Sequence, residues 1–386
     1  MFGTGLGRYL PSPIRHRLNF AFAKLQTFSP PNFRKSQPRK KFDGRQVAVV
    51  GLFTSATGLG RAAELVALAL QRRGSTVIRV DISGAYKRRM FERNDVIDYQ
   101  GFGEAAVSDV VFVVNPDIHP LYLFDNSWLA GRCVIGHWIW ELETLPAHWR
   151  RLAVSYDELW APTDLVRSSI QAAIPAFDGS LKVVAYAIDA DPMKRIDLTH
   201  RASVRKRLQL SESMFVGGYS FSADSNYYRK NPEAAVNAFQ KAFPLSDKAA
   251  RLILRSNDLE QWPIEHARLL ELIGSDNRII LFGAKTRIAI DDFYAVIDVY
   301  LSPSRAEGYG LNLVEAAQAG IPVITTGWRL PPEILALPGV CAVPYTLDKV
   351  FDPQRNYSKQ AQWATPNLSE MAAELIRTRA RHISSK

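Results

Sequence analysis

Cysteine is nearly missing from these 386 residues: Cys133 and Cys341 are the only two. That excludes a disulfide framework and fits a reducing compartment, so a hydrophobic core has to hold the fold. No apolar run approaches the roughly 18 residues of a membrane span. The amino end lacks the short apolar core and cleavage site of a secretory signal, so a cytoplasmic location is expected, peripheral at the inner face of the plasma membrane. There is no short-period repeat. No His/Cys cluster has metal-ligand spacing, and no metal or cofactor is expected. Acidic residues are scarce in one place. Residues 1–45 hold ten Lys and Arg against Asp43 alone, and the whole chain has a net charge of only +10. The basic character therefore belongs to an arm and not to the body. Its interleaved Tyr9, Leu10, Ile14, Leu18, Phe20 and Phe22 suit an anionic membrane surface better than nucleic acid. A merely solubilising tail is the alternative.

What is present from residue 46 onward is an alternation of short apolar runs and helical stretches, the pattern of α/β sheets with crossover helices. Strands are expected at Gln46–Phe53, Thr76–Asp81, Val110–Asn115, Cys133–Ile139, Glu158–Ala161 and Lys182–Tyr186. The pattern lapses over the polar, basic stretch 187–213, which reads as an interdomain connection. A second series then follows, with strands at Phe215–Phe221, Arg251–Arg255, Arg278–Phe282, Val299–Ser302 and Pro322–Thr325. The expected organisation is a basic arm (1–45), a Rossmann-like domain (46–195), a second Rossmann-like domain (196–366) and a C-terminal helix (367–386).

Two glycine loops compete for attention. In VAVVGLFTSATGLGRAAELVALALQRRGSTVIRVDISG (47–84), Gly58, Gly60 and Ala63 nearly spell the dinucleotide fingerprint, with Asp81 as its distant acid. However, Thr54–Thr57 intervene between strand and Gly58, a loop too long for the tight turn under a pyrophosphate. The second loop lies in VYLSPSRAEGYGLNLVEAAQAGIPVIT (299–325). There a strand ends at Ser302 and Glu307-Gly308-Tyr309-Gly310 opens a helix. Glycines let backbone N–H groups approach an anion, and the helix start adds partial positive charge. A carboxylate on each side, Glu307 and Glu315, suits a ligand carrying both phosphates and hydroxyls.

The E-x7-E spacing of Glu307 and Glu315, within SRAEGYGL, resembles the retaining glycosyltransferases of family 4, the group 1 glycosyltransferases. YYRKNPEAAVNAFQKAF (227–243) is similar to the family's R-K-N-P segment. HWIWELETLPAHW (137–149) with ELWAPTDLVRSSI (158–170) resembles a subgroup that assembles bacterial surface polysaccharides, and GIPVITTGW (320–328) matches the following strand. The resemblance implies a GT-B fold, in which two Rossmann-like domains face each other across a cleft. It implies a nucleotide diphosphate sugar (UDP- or GDP-hexose) as donor and a saccharide or lipid-linked saccharide as acceptor. By the same resemblance Lys230, aided by Arg229, contacts the diphosphate and Glu307 holds the sugar hydroxyls. Glu315 holds the ribose, and backbone N–H groups of Gly308, Tyr309, Gly310, Leu311 and Asn312 complete a phosphate cradle. Phe282 and Gly283 fall where the base is seated, and the Gly58–Gly60 loop points at the donor phosphates. On the acceptor side His137 is preferred over His119, with Trp138 and Trp140 forming either a sugar-stacking wall or core.

Two sequence features and two rival readings stand beside the resemblance. Asp224 stands where many family members have a basic phosphate contact. Asp189-Ala190-Asp191 spells D-x-D but reads as a cap or turn. An NAD(P)-dependent oxidoreductase, resting on residues 58–81, and a catalytically dead saccharide-binding protein of the same fold are the alternatives.

Overall fold

The computed structural model describes residues 46–84, 91–102, 106–116, 127–190 and 196–384. The chain forms two compact units that divide at residues 191/192. The basic arm, His119 and Asp191 lie outside the described residues.

In the first unit, β1 (Gln46–Gly51), β2 (Thr76–Asp81), β3 (Val96–Asp98), β4 (Asp109–Phe112), β5 (Cys133–His137), β6 (Glu158–Ala161) and β7 (Ser180–Val183) form one sheet. Its order is β3-β2-β1-β4-β5-β6-β7 and every pairing is parallel. A parallel sheet is covered on both faces, so its central strands are continuously apolar: β1 and β5 are buried almost throughout. The Gly58–Arg72 helix crosses from β1 to β2, capped by the Thr57 hydroxyl, which accepts from Gly60 N. Its apolar residues, among them Ala62, Ala63, Leu65 and Val66, face the sheet.

The second unit repeats the plan. Its strands are β8 (Phe215–Ser220), β9 (Ala250–Arg255), β10 (Ile279–Phe282), β11 (Val299–Ser302), β12 (Val323–Thr326) and β13 (Val340–Val343), in the parallel order β10-β9-β8-β11-β12-β13. Helices Pro232–Ala242, Pro263–Ile273, Ile290–Val296 and Leu311–Gln318 make the crossovers. A separate antiparallel ribbon follows, β14 (Tyr345–Lys349) with β15 (Gln362–Pro366). The expected pair of Rossmann-like α/β domains is thus observed. In each sheet the strand order reverses beside the first strand, at β1/β4 and at β8/β11. Open α/β sheets bind ligands outside the carboxyl ends of the strands at such a point.

Two expectations are corrected. The strand expected at Lys182–Tyr186 lies earlier, at Ser180–Val183. The supposed connection 187–213 contains a helix, Leu198–Arg207, that belongs to the second unit. Only Val204 and Arg205 of that helix are buried, so it has no apolar stripe to read. Ion pairs hold it instead: buried Asp298 accepts from Arg201 at 2.5 Å and from Arg205 at 2.7 Å. The C-terminal helix, Leu368–Ser384, belongs to the second unit. It packs on its own unit, against the Pro232–Ala242 helix and beside β12 and β13. Its buried Met371, Ala372 and Leu375 explain the placement, and Arg379 pairs with Asp247.

Candidate active site

The reversal at β8/β11 gathers the two most informative sequence segments. β8 ends at Ser220 and leads through Ser222–Asn226 into a single helical turn, Tyr227–Lys230. Asn231 then takes a left-handed conformation (φ 54°) and Pro232 starts the next helix, Pro at the first helical position being preorganised for it. β11 ends at Ser302, and the loop 303–310 leads into the Leu311–Gln318 helix. Gly310, at φ 89°, makes the turn into that helix, where a side chain would be strained. No side chain caps this helix, and an uncapped helix start is a place where an anion can be held.

The two segments are bonded to each other. Lys230 Nζ donates to Glu307 Oε1 at 2.7 Å, and Arg229 Nη1 reaches Glu307 Oε2 at 3.5 Å and Ala306 O at 2.7 Å. Arg305 N donates to Arg229 O at 2.8 Å, and Asn231 Nδ2 to Pro303 O at 3.2 Å. Beneath them Tyr219 OH donates to Lys230 O at 2.6 Å and lies 3.1 Å from Ser304 Oγ. Burial alone would raise the Glu307 carboxyl. The adjacent Lys230 and Arg229 charges and hydrogen bonds from Lys230 and Ser304 outweigh it, so the group stays below the usual carboxylate range and ionised. The result is an ionised carboxylate and an ammonium side by side at the mouth of a helix start. Arg229 is buried and spends its guanidinium on Ala306 O, Ser225 O and Ser225 Oγ, so it braces the loop more than it faces solvent.

Glu315 sits one turn into the helix and is buried, accepting from Tyr294 OH at 3.3 Å. Tyr294 OH also reaches Asn312 O at 3.0 Å, and Asn312 Nδ2 donates to Ser220 O at 3.1 Å. Gly308, Tyr309, Gly310, Leu311 and Asn312 therefore lie together with Glu307 and Glu315, with Tyr294 as their support. Tyr294 was not read from the sequence, since an aromatic in a helix reads as core. Phe282 ends β10 and Gly283 follows it in the same unit. A Cβ at Gly283 would stand 2.1 Å from Glu260 Oε1, and Ala284 N donates to that carboxylate at 2.9 Å.

Asp224 is fixed by the Trp262 indole, whose Nε1 donates at 2.7 Å, and its own N–H donates to Asp258 at 3.3 Å. Asp258 also accepts from Ser222 Oγ and Ala223 N, which ties the loop after β8 to the loop after β9. Burial and then the Asp224 charge raise the Asp258 carboxyl above its ordinary range. Arg255, at the end of β9, donates to Ser220 Oγ at 3.2 Å and to Ile288 O at 3.0 Å.

The remaining residues named from the sequence belong to the first unit. A Cβ on Gly60 would lie 2.4 Å from Ser55 O and 2.5 Å from Leu52 O, so this glycine is demanded by close strand–helix approach. Gly58 has open space around it. Asp81 is fully buried and accepts from Thr54 N, Thr54 Oγ1 and Ser83 Oγ. Its carboxylate thus holds the β1 loop and is not presented to a ribose, which removes the acid on which the dinucleotide reading depended. His137 is buried at the end of β5, stacked on Tyr186 with Nε2 3.3 Å from Val184 O, and burial pushes it down to about 4. Trp138 and Trp140 are core: both pack edge-on against Trp149. Asp189 accepts from Arg72 at 2.7 Å, a structural contact.

Two doubly wound domains in succession are the plan of the GT-B fold, which the chain shares with solved glycosyltransferase structures. Residues 222–349 match the family model described as "Glycosyl transferases group 1". A lipopolysaccharide core biosynthesis mannosyltransferase, LpsB, of Rhizobium meliloti (strain 1021) is 40% identical over 53 residues, 14% of this chain and 14% of that protein. The matches to curated relatives span no more than 14% of the relatives' length. Among solved structures, Anabaena HepE in complex with UDP and glucose shares the fold at TM-score 0.55 and 16% identity, over 89% of this chain and 100% of that one. WaaG, a glycosyltransferase involved in lipopolysaccharide biosynthesis, does so at TM-score 0.55 and 14% identity, over 87% and 90%.

Proposed function

We propose that the chain is a retaining, metal-independent glycosyltransferase of family 4. It moves a hexose from a UDP- or GDP-sugar to a saccharide or lipid-linked saccharide during bacterial surface polysaccharide synthesis. The observation that carries this reading is the Lys230–Glu307 contact of 2.7 Å beside an uncapped helix start, at the strand-order reversal and inside the segment matching the family model. The Lys230 ammonium and the first-turn N–H groups offset the negative charge that grows on the diphosphate as the glycosidic bond breaks. Glu307, kept ionised, accepts hydrogen bonds from sugar hydroxyls and orients the reacting carbon. The departing phosphate oxygen takes the acceptor's proton on the same face, so the anomeric configuration is retained. Glu315 accepts from the ribose, and His137, neutral at physiological pH, serves the acceptor side.

The test is to incubate the chain with UDP- and GDP-sugars, with and without EDTA, and to follow slow donor hydrolysis by NMR. The product's anomeric configuration is read in the same spectra. Turnover of one donor class with retained configuration, undiminished by EDTA, is expected. Binding of NAD(P) with no affinity for UDP or GDP would sink the proposal, and binding of a saccharide without turnover would favour a dead member of the fold.

A further inference from the structure

The connection between β14 and β15 has no role in the reading above, and it lies beyond residue 349, where the family match ends. It nevertheless carries a buried polar cluster that touches the site. Gln354 is 6% exposed, and its side chain is used at both ends. Oε1 accepts from Tyr227 N at 2.9 Å, and Nε2 donates to Ala223 O at 3.1 Å. Asp352 accepts from Asn226 Nδ2 at 2.7 Å while its own loop is folded around it by bonds from Gln354 N, Asn356 N and Tyr357 N. Asn226 is fully buried at φ 80°, a conformation a non-glycine residue keeps only when its surroundings hold it. Its Oδ1 in turn accepts from Arg229 N at 2.9 Å, starting the single turn that ends in Lys230. The same ribbon grips the other loop. Ala364 N, on β15, donates to Arg305 O at 3.0 Å, two residues before Glu307, and the Arg305 guanidinium reaches Thr365 and lies over the Trp363 ring.

We propose that Gln354 and Asp352 are positioning residues for the Lys230–Glu307 pair. They fix the strained turn that carries Lys230, while β15 fixes the loop that carries Glu307. One ribbon thus sets the distance between the two functional groups. A one-turn helix of four residues cannot hold itself, because nucleation costs more than one turn of hydrogen bonds returns. The turn therefore needs an outside template, and the side chains of Gln354 and Asp352 supply it. The inference rests on the glycosyltransferase reading only in what the pair is for. The bracket itself can be measured without a ligand.

Three variants test it in the full chain: Gln354→Ala, Gln354→Glu and, as a control, Arg379→Ala. The control breaks the Asp247 pair on the C-terminal helix, away from the ribbon. In Gln354→Ala, amide exchange over residues 226–231 should quicken at least tenfold and affinity for whichever of UDP or GDP the wild type binds should fall at least tenfold. Gln354→Glu keeps the acceptor for Tyr227 N but loses the donor to Ala223 O, so it should lie between. Arg379→Ala should lower the melting temperature and change neither readout. If Gln354→Ala merely lowers the melting temperature, with nucleotide affinity within twofold of wild type at 25 °C, the positioning role is overturned. If exchange over 226–231 is unchanged, the bracket itself is refuted. A wild-type chain that binds neither nucleotide, with faster exchange in Gln354→Ala, would retain the bracket but overturn its role at a donor site.

Discussion

Replacing Glu307 by glutamine and Lys230 by alanine should move nucleotide diphosphate affinity in opposite directions. The Lys230 ammonium is engaged by Glu307 at 2.7 Å, with Arg229 3.5 Å from the same carboxylate. A diphosphate oxygen meeting the far side of that ammonium would stand roughly 6 Å from the carboxylate, two charge-assisted contacts end to end. The repulsion between unit charges at that distance is about 0.7 kcal/mol in water and about 2.8 kcal/mol at an effective dielectric of 20. Glu307→Gln removes it while keeping the shape of the side chain. UDP or GDP should therefore bind roughly three- to a hundredfold more tightly, as sugar transfer collapses. Lys230→Ala removes the charged donor, a loss of about 1.5–3 kcal/mol, and affinity should fall roughly ten- to 150-fold. Isothermal titration of both variants with UDP and GDP, at two salt concentrations, reads both signs. The pair also titrates. Because the folded Glu307 carboxyl is depressed, its contribution to stability is present above the unfolded value near 4.3 and lost only as pH falls through the folded one. Lys230→Ala leaves the buried carboxylate with only Arg229, at 3.5 Å, to offset its burial, so its stability deficit should be largest near neutral pH and shrink toward pH 4. Weaker binding by Glu307→Gln, or a loss of its folding, would mean that the carboxylate is a structural strut, and the argument would fail.

His137 offers a pH test of the first domain. Its folded value is pushed down to about 4, below the unfolded value near 6.5, so the unfolded chain binds more protons between those limits. The wild type should lose stability as pH falls from about 6.5 to about 4, by roughly 3 kcal/mol, and His137→Phe should flatten that slope in thermal melts. An equal slope in the variant would place the titration elsewhere. Deleting residues 1–40 should reduce sedimentation with vesicles containing anionic lipid, an effect that added salt should mimic in the intact chain. Undiminished sedimentation refutes a membrane role for the arm.

Much of the site was legible because its parts are local in sequence. The glycines, the Arg229-Lys230-Asn231-Pro232 run and the Glu307 and Glu315 spacing each state a backbone or charge requirement within a few residues. What lay outside reading was long-range: Tyr294 beneath Glu315, Trp262 on Asp224, and Gln354 on the turn before Lys230. Each is an ordinary residue type whose partner is many residues away, so no local period or spacing marks it. The Leu198–Arg207 helix escaped for a related reason, since its stability comes from Asp298 and not from an apolar face. Conversely, Gly58, Gly60 and Asp81 spelled a familiar pattern, and only the tertiary contacts showed that Gly60 is crowded by Leu52 O and Ser55 O and that the Asp81 carboxylate is taken up by Thr54 and Ser83.

By itself the sequence determined the α/β alternation, the two-domain plan, the concentration of positive charge in residues 1–45 and the residue types at the loop after β11. These follow from composition and short-range periodicity, which chain connectivity alone enforces. Only the tertiary structure decided that Lys230 and Glu307, 77 positions apart, form an ion pair. It alone decided that Asp81 is spent inside the fold, that Trp138 and Trp140 are core, and that the C-terminal helix packs against the Pro232–Ala242 helix. Each of those outcomes depends on which buried polar group or apolar face finds its partner, and partners distant in the chain are chosen by sheet order and burial.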